Sequence, residues 1–119
     1  MFNLRFFIYT LFFGFMTYSV SAFSNIKVVT TTQNIKSLTD EIGKGVIDVV
    51  SLAGGRQDPH YIEAKPSFMM EVRKADLLIS IGLGLEEAWL PAILSGTRNV
   101  KVMSDQKEKG YLELSAYTD

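Results

Sequence analysis

A chain of 119 residues holds at most one domain. At 47% hydrophobic and 21% charged it has the make-up of a globular protein, which argues against disorder. A net charge of −1 gives no electrostatic case for nucleic acid, and the lack of cysteine excludes disulfides, a thiolate metal site and a cysteine nucleophile.

The N-terminus reads as a targeting segment. Arg5 and the amino terminus supply positive charge, Phe6 to Met16 is an apolar run, and Val20-Ser21-Ala22 places small residues before a cleavage point. The run is shorter than the about 20 apolar residues a transmembrane helix needs. The expectation is a signal peptide over residues 1–22, cleaved after Ala22, and export to the periplasm. The competing reading is an uncleaved membrane anchor. With no cysteine to carry a lipid, a free periplasmic protein is expected rather than a lipoprotein.

Ile26 to Thr30 is short and β-branched and reads as a strand. Thr31 to Asn34 suits a helix N-terminus, and Ile35, Leu38 and Ile42 share one helical face. Gly43 and Gly45 provide a stop. Val46 to Leu52 is a second strand, apolar enough to suit a sheet buried on both faces. A polar loop, Gly54 to Tyr61, follows. Pro66 opens a second helix whose apolar stripe is Phe68, Met69, Val72 and Ala75. Leu77 to Ile81 is a third strand, and Gly82-Leu83-Gly84 a turn. Glu86 to Leu94 reads as a helix shortened or kinked at Pro91, and Val100 to Met103 as a fourth strand. Ser104 to Asp119 reads as polar loop.

Strands alternating with helices predict an α/β fold, a parallel sheet flanked by helices and joined by right-handed crossovers. Ligands in such sheets sit at the carboxyl ends of the strands. The segments to inspect are therefore Thr30 to Gln33, Ala53 to Tyr61, Gly82 to Glu87, and Ser104 onward.

Gly82-Leu83-Gly84-Leu85-Glu86-Glu87 starts like a dinucleotide fingerprint, but Glu87 stands where the third glycine belongs, and the acids would repel a pyrophosphate. The structural reading is a turn and helix start whose acids favour the helix dipole. Ser51, Ser67 and Ser80 lack a nucleophile-elbow context. Trp89, with Leu90 and Leu94 nearby, reads as core, and Lys101, Lys107 and Lys109 as a solvated face. Asp58-Pro59-His60 holds the single histidine, on a loop that follows a buried strand. A neutral imidazole is the commonest metal ligand, its second nitrogen usually held by a carboxylate or carbonyl. A lone loop histidine is more often simply solvated, so the residues alone leave His60 open between the two.

Three stretches, VVTTTQNIKSLTDEIG, VSLAGGRQDPHYIEAKPS and VRKADLLISIGLGLEEAWLPAIL, resemble in order and spacing the zinc- and manganese-binding substrate-binding proteins of ABC transporters. GYLELS at Gly110 to Ser115 resembles a segment just before that family's second histidine. The resemblance covers roughly Ile26 to Asp119. It implies two α/β lobes with a metal between them, residues 23–119 being part of the N-terminal lobe. It implies His60 as the first metal ligand. Apart from the resemblance, Asp58, Gln57 and Tyr61 are expected to shape its loop. The further ligands have no match before Asp119, and neither Asp105 nor Glu113 stands in a matching motif. The implied function is binding rather than catalysis. The protein would be a monomer capturing Zn2+, in preference to Mn2+, for delivery to a membrane permease. The alternatives are a small secreted α/β enzyme with His60 as general base, and a membrane-anchored fragment without ligand.

Overall fold

The computed structural model describes residues 24–103 and 110–118, so the signal-peptide expectation for residues 1–22, and Asp105, Lys107 and Lys109, lie outside the described residues. Four strands form one sheet: β1 (Ile26–Thr30), β2 (Ile47–Ser51), β3 (Leu77–Ser80) and β4 (Tyr111–Glu113), in the order β2-β1-β3-β4. All three pairings are parallel. The helices are α1 (Gln33–Ile42), α2 (Pro66–Lys74) and α3 (Leu90–Thr97).

Alternation along the strands divides the core. Val29 and Leu78 face one side, where they pack with Val72 of α2, Leu90 and Ile93 of α3, Trp89 and Val102. Val28, Val49 and Ile79 face the other, with Ile35 of α1. Successive side chains of a strand point to opposite faces, so one sheet of alternately placed apolar residues serves both clusters. The α2 stripe lies where periodicity puts it: Val72 and Ala75 are buried and Phe68 and Met69 pack against the cluster.

The α1 stripe does not. Ile35 is buried, but Leu38 and Ile42 are 61% and 79% exposed. The cluster on this face holds Ile35 from α1 and no residue of α2 or α3, so nothing from those helices covers the other two side chains. The expectation of a β2 buried on both faces also fails. β2 is an edge strand with Val49 alone buried. At the head of α1, Thr32 occupies the cap position but makes no capping bond, and its buried hydroxyl finds no partner among the described residues.

Two further expectations are corrected. Leu90, not Glu86, starts α3, because Gly82 to Trp89 is spent on successive turns with positive φ at Gly82, Leu83 and Gly84. Val100 to Met103 is not a strand. Asn99 consumes its backbone: the Asn99 carbonyl accepts from Val102 N, its side-chain oxygen accepts from Lys101 N, and its amide donates to the carbonyls of Val72 and Ala75 at the end of α2. The fourth strand is Tyr111–Glu113, inside the segment that reads as polar loop. Its entry requires Gly110. A Cβ there would stand 2.4 Å from the Lys101 carbonyl oxygen and 2.8 Å from that of Asp76.

The amino ends of β1 and β3 are tied by Asp76. Its carboxylate accepts from Lys27 N at 3.1 Å and Lys101 Nζ at 2.7 Å, and its own N–H donates to Lys27 O at 2.8 Å. The Lys101 hydrogen bond, then the Lys27 one, hold its carboxyl below the ordinary 3.8. A carboxyl depressed in the folded state contributes stability above its unfolded value and loses it as pH falls through the folded value. Asp76 is 40% exposed, so the contribution is about 0.5–1 kcal/mol. Asp76→Asn is expected to lower stability by that amount at pH 7 and to converge on the wild type below about pH 3.8, in urea titrations run across pH. A constant gap down to pH 2 would refute this.

Candidate metal-binding site

The loop after β2 carries a three-residue 3-10 turn, Pro59–Tyr61, at the carboxyl edge of the sheet. Pro59 suits its first position because its fixed φ matches and the missing N–H is not needed there. Asp58 caps it. Asp58 Oδ1 accepts from the His60 backbone N–H at 3.0 Å and lies 2.9 Å from His60 Nδ1. Those bonds hold the Asp58 carboxyl below its ordinary value, the backbone hydrogen bond first, then the side-chain one. A carboxylate only accepts, so the proton of a neutral His60 sits on Nδ1 and the lone pair on Nε2. The side chain is 55% exposed, and no hydrogen bond among the described residues engages Nε2. Chemically this is an imidazole oriented by a carboxylate, with its coordinating nitrogen open.

Of the other loop residues, Gln57 closes the preceding turn, its side-chain oxygen accepting from Gly54 N at 2.9 Å. Tyr61 points to solvent beside the imidazole, ring centroids 6.3 Å apart. The Tyr61 backbone N–H donates to Asp58 O at 3.1 Å. Glu113 is not near this turn. It lies at the end of β4, accepts from Ser115 Oγ at 3.0 Å, and lines a cleft of about 540 Å³ with Ser80, Glu86, Glu87 and Tyr111. His60 does not line that cleft. Among the described residues no group of three or more His, Cys, Asp or Glu stands together as a metal cage.

Two residues matter here in ways their sequence reading missed. Glu86 is not an exposed acid at a helix head but 4% exposed. Its Oε1 accepts from Thr31 Oγ1 at 2.6 Å and Ile81 N at 2.9 Å, and its Oε2 from Gly82 N at 3.0 Å. The strand order reverses between β1 and β3, and that switch point is the crevice where open α/β sheets commonly take ligands. Here the Glu86 carboxylate bridges the two strand ends, from Thr31 to Ile81 and Gly82. Trp89 is core as expected, 1% exposed and packed near Phe68, but its indole N–H also donates to Pro59 O at 2.7 Å. The only sequence signal for Glu86 is an acid four residues past a strand-ending glycine, and for Trp89 that it is the single tryptophan.

A sequence profile described as zinc-uptake complex component A, periplasmic, matches residues 28–116. The manganese ABC transporter substrate-binding lipoprotein PsaA of Streptococcus pneumoniae is 31% identical over 105 residues, covering 82% of this chain and 34% of that protein. A putative metal-binding protein of Treponema pallidum is 30% identical over 93 residues, covering 78% and 29%. Among solved structures, the periplasmic zinc binding protein TroA from Treponema pallidum superposes with a TM-score of 0.63 at 25% identity, covering 78% of this chain and 30% of that one. The α/β fold with a parallel sheet is common to both. The chain spans about a third of the length of the curated relatives it matches.

Proposed function

Because the chain belongs to the family of the zinc-uptake complex component A, a family of substrate-binding transport proteins and not of enzymes, we propose that it captures a divalent metal ion outside the cytoplasm for a metal ABC transporter. The cargo is Zn2+ in preference to Mn2+, and the receiving partner is the transporter's membrane permease. His60 is the metal ligand, through Nε2. The observation that carries this reading is Asp58, whose one carboxylate oxygen meets both the backbone N–H and the Nδ1 of His60 and so leaves Nε2 open and exposed. Imidazole nitrogen suits Zn2+ better than the oxygen-rich sets that suit Mn2+, which supports zinc.

A single imidazole does not hold Zn2+ against water, since protein zinc sites use three or four ligands. In this reading residues 23–119 belong to the N-terminal lobe, and the other donors come from outside the described residues. Residues 1–22 act as the export signal, cleaved after Ala22, and the protein works as a monomer. The family removes the footing of the alternative enzyme with His60 as general base.

The test uses the fact that His60 is the only histidine. In a histidine-15N-labelled chain, added Zn2+ is expected to move the Nε2 resonance and leave Nδ1 protonated, with Mn2+ binding more weakly and broadening the same signal. One imidazole binds weakly, so Zn2+ is added in large excess: an Nε2 resonance that ignores even that excess, or a response at Nδ1 instead, would sink the reading, and a tighter response to Mn2+ would reverse the order of metals.

A further inference from the structure

We infer that Trp89 is the positioning residue of His60, acting through the peptide that joins Pro59 to His60. That peptide is held at both ends. Its carbonyl, Pro59 O, accepts from the Trp89 indole N–H at 2.7 Å, and its N–H, from His60, donates to Asp58 Oδ1 at 3.0 Å. A peptide unit is planar, so two bonds on opposite edges fix the plane from which the His60 side chain departs.

The turn's other anchor is Ile62, which follows it and is buried in the same cluster as Trp89, but Ile62 holds the chain after His60 and not the peptide before it. Pro59–Tyr61 is three residues long with none of them buried. The bonds within the loop are local: Gln57 N to Gly54 O, Gly54 N to Gln57 Oε1, and Tyr61 N to Asp58 O. Among the described residues, the Trp89 bond alone reaches residues 54–61 from a distant part of the chain, 30 positions away. Trp89 is a firm anchor for such a bond. It is 1% exposed, in the cluster with Leu90, Ile93 and Val72, and Phe68 lies 6.4 Å from its ring. The turns that carry it are fastened to the sheet by Glu86, which bonds Thr31 beyond β1 and Ile81 and Gly82 beyond β3. The orientation of the imidazole is thus set by the core and the β3–α3 connection. The consequence for metal affinity rests on the metal-ligand reading of His60; the orientation itself does not.

Trp89 is the only tryptophan, so it can be replaced residue-specifically in the full chain by benzothienylalanine, which keeps the bicyclic ring and lacks the N–H donor. Trp89→Phe is the genetic counterpart. In the histidine-15N-labelled chain without metal, wild type is expected to hold one tautomer, protonated at Nδ1. The analogue should show a mixture of the two tautomers and lose hydrogen-exchange protection of the His60 amide, with an unchanged circular-dichroism spectrum. Zn2+ affinity read at His60 should fall about tenfold, as for other outer-sphere partners of a metal-bound histidine. Trp89→Phe should move the same readouts in the same direction. An analogue with the wild-type tautomer, amide protection and affinity would overturn the inference. If Zn2+ fails to perturb His60 in the wild type, the metal reading falls, and the tautomer and amide protection still decide the role of Trp89.

Discussion

His60→Ala is expected to lower the affinity for Zn2+ by at least about 100-fold, since loss of an outer-sphere partner alone typically costs 10–100-fold and His60 is placed as a direct ligand. It should barely change stability, because the side chain is more than half exposed and, among the described residues, its hydrogen bond is to the neighbouring Asp58. Calorimetric titration with Zn2+ beside a thermal melt separates the two. Wild-type affinity in a folded His60→Ala protein would place the metal on carboxylates elsewhere. The described residues supply no three-ligand cluster, so they are expected to bind Zn2+ weakly on their own, and the titration is run to a large excess of metal so that the fold-change can be read.

Glu86→Ala is expected to cost about 3–5 kcal/mol of folding stability, because three donors lose their acceptor at about 1–3 kcal/mol each, less what the removed carboxylate no longer loses in desolvation. Its carboxylate serves three donors at the sheet's switch point, and truncation leaves the Thr31 hydroxyl and the N–H groups of Ile81 and Gly82 without acceptors. A domain of this size has a net stability of about 5–15 kcal/mol, so the loss is a large share of the total. Glu86→Gln should cost less, because the amide keeps one acceptor oxygen, though its NH2 then faces a donor. Urea unfolding gives both values. A loss below about 1 kcal/mol for Glu86→Ala would mean that water satisfies these groups without penalty and that Glu86 does not knot the two strand ends. The same substitution should also loosen the turns that carry Trp89, so it couples stability to the orientation of His60.

Local chemistry carried much of the fold into the sequence. β1, α1, α2 and β3 stand close to where β-branched runs, helical spacing, Pro66 and the glycine stop put them, because each is decided by neighbours within a few residues. β4 was not legible. Tyr111-Leu112-Glu113 has no period of its own, and only pairing with Leu78, Ile79 and Ser80 makes it a strand. Val100 to Met103 misled in the other direction, two valines suggesting a strand where Asn99 takes the backbone for a turn. Leu38 and Ile42 show the same limit: spacing gives a helix a face, but packing partners decide whether it is buried.

The site divides along the same line. By itself the sequence determined that a histidine stands after the second strand, stiffened by Pro59, and the Asp58 contact is only two residues away and therefore local. Only the tertiary structure decided that Glu86 bridges the ends of β1 and β3, and that the peptide before His60 is gripped by Trp89. The reason is physical. Capping and turn chemistry act over two to four residues and leave a mark in the order of amino acids. A hydrogen bond between groups 30 or 55 positions apart depends on which strands end side by side, and pattern within a segment does not encode that.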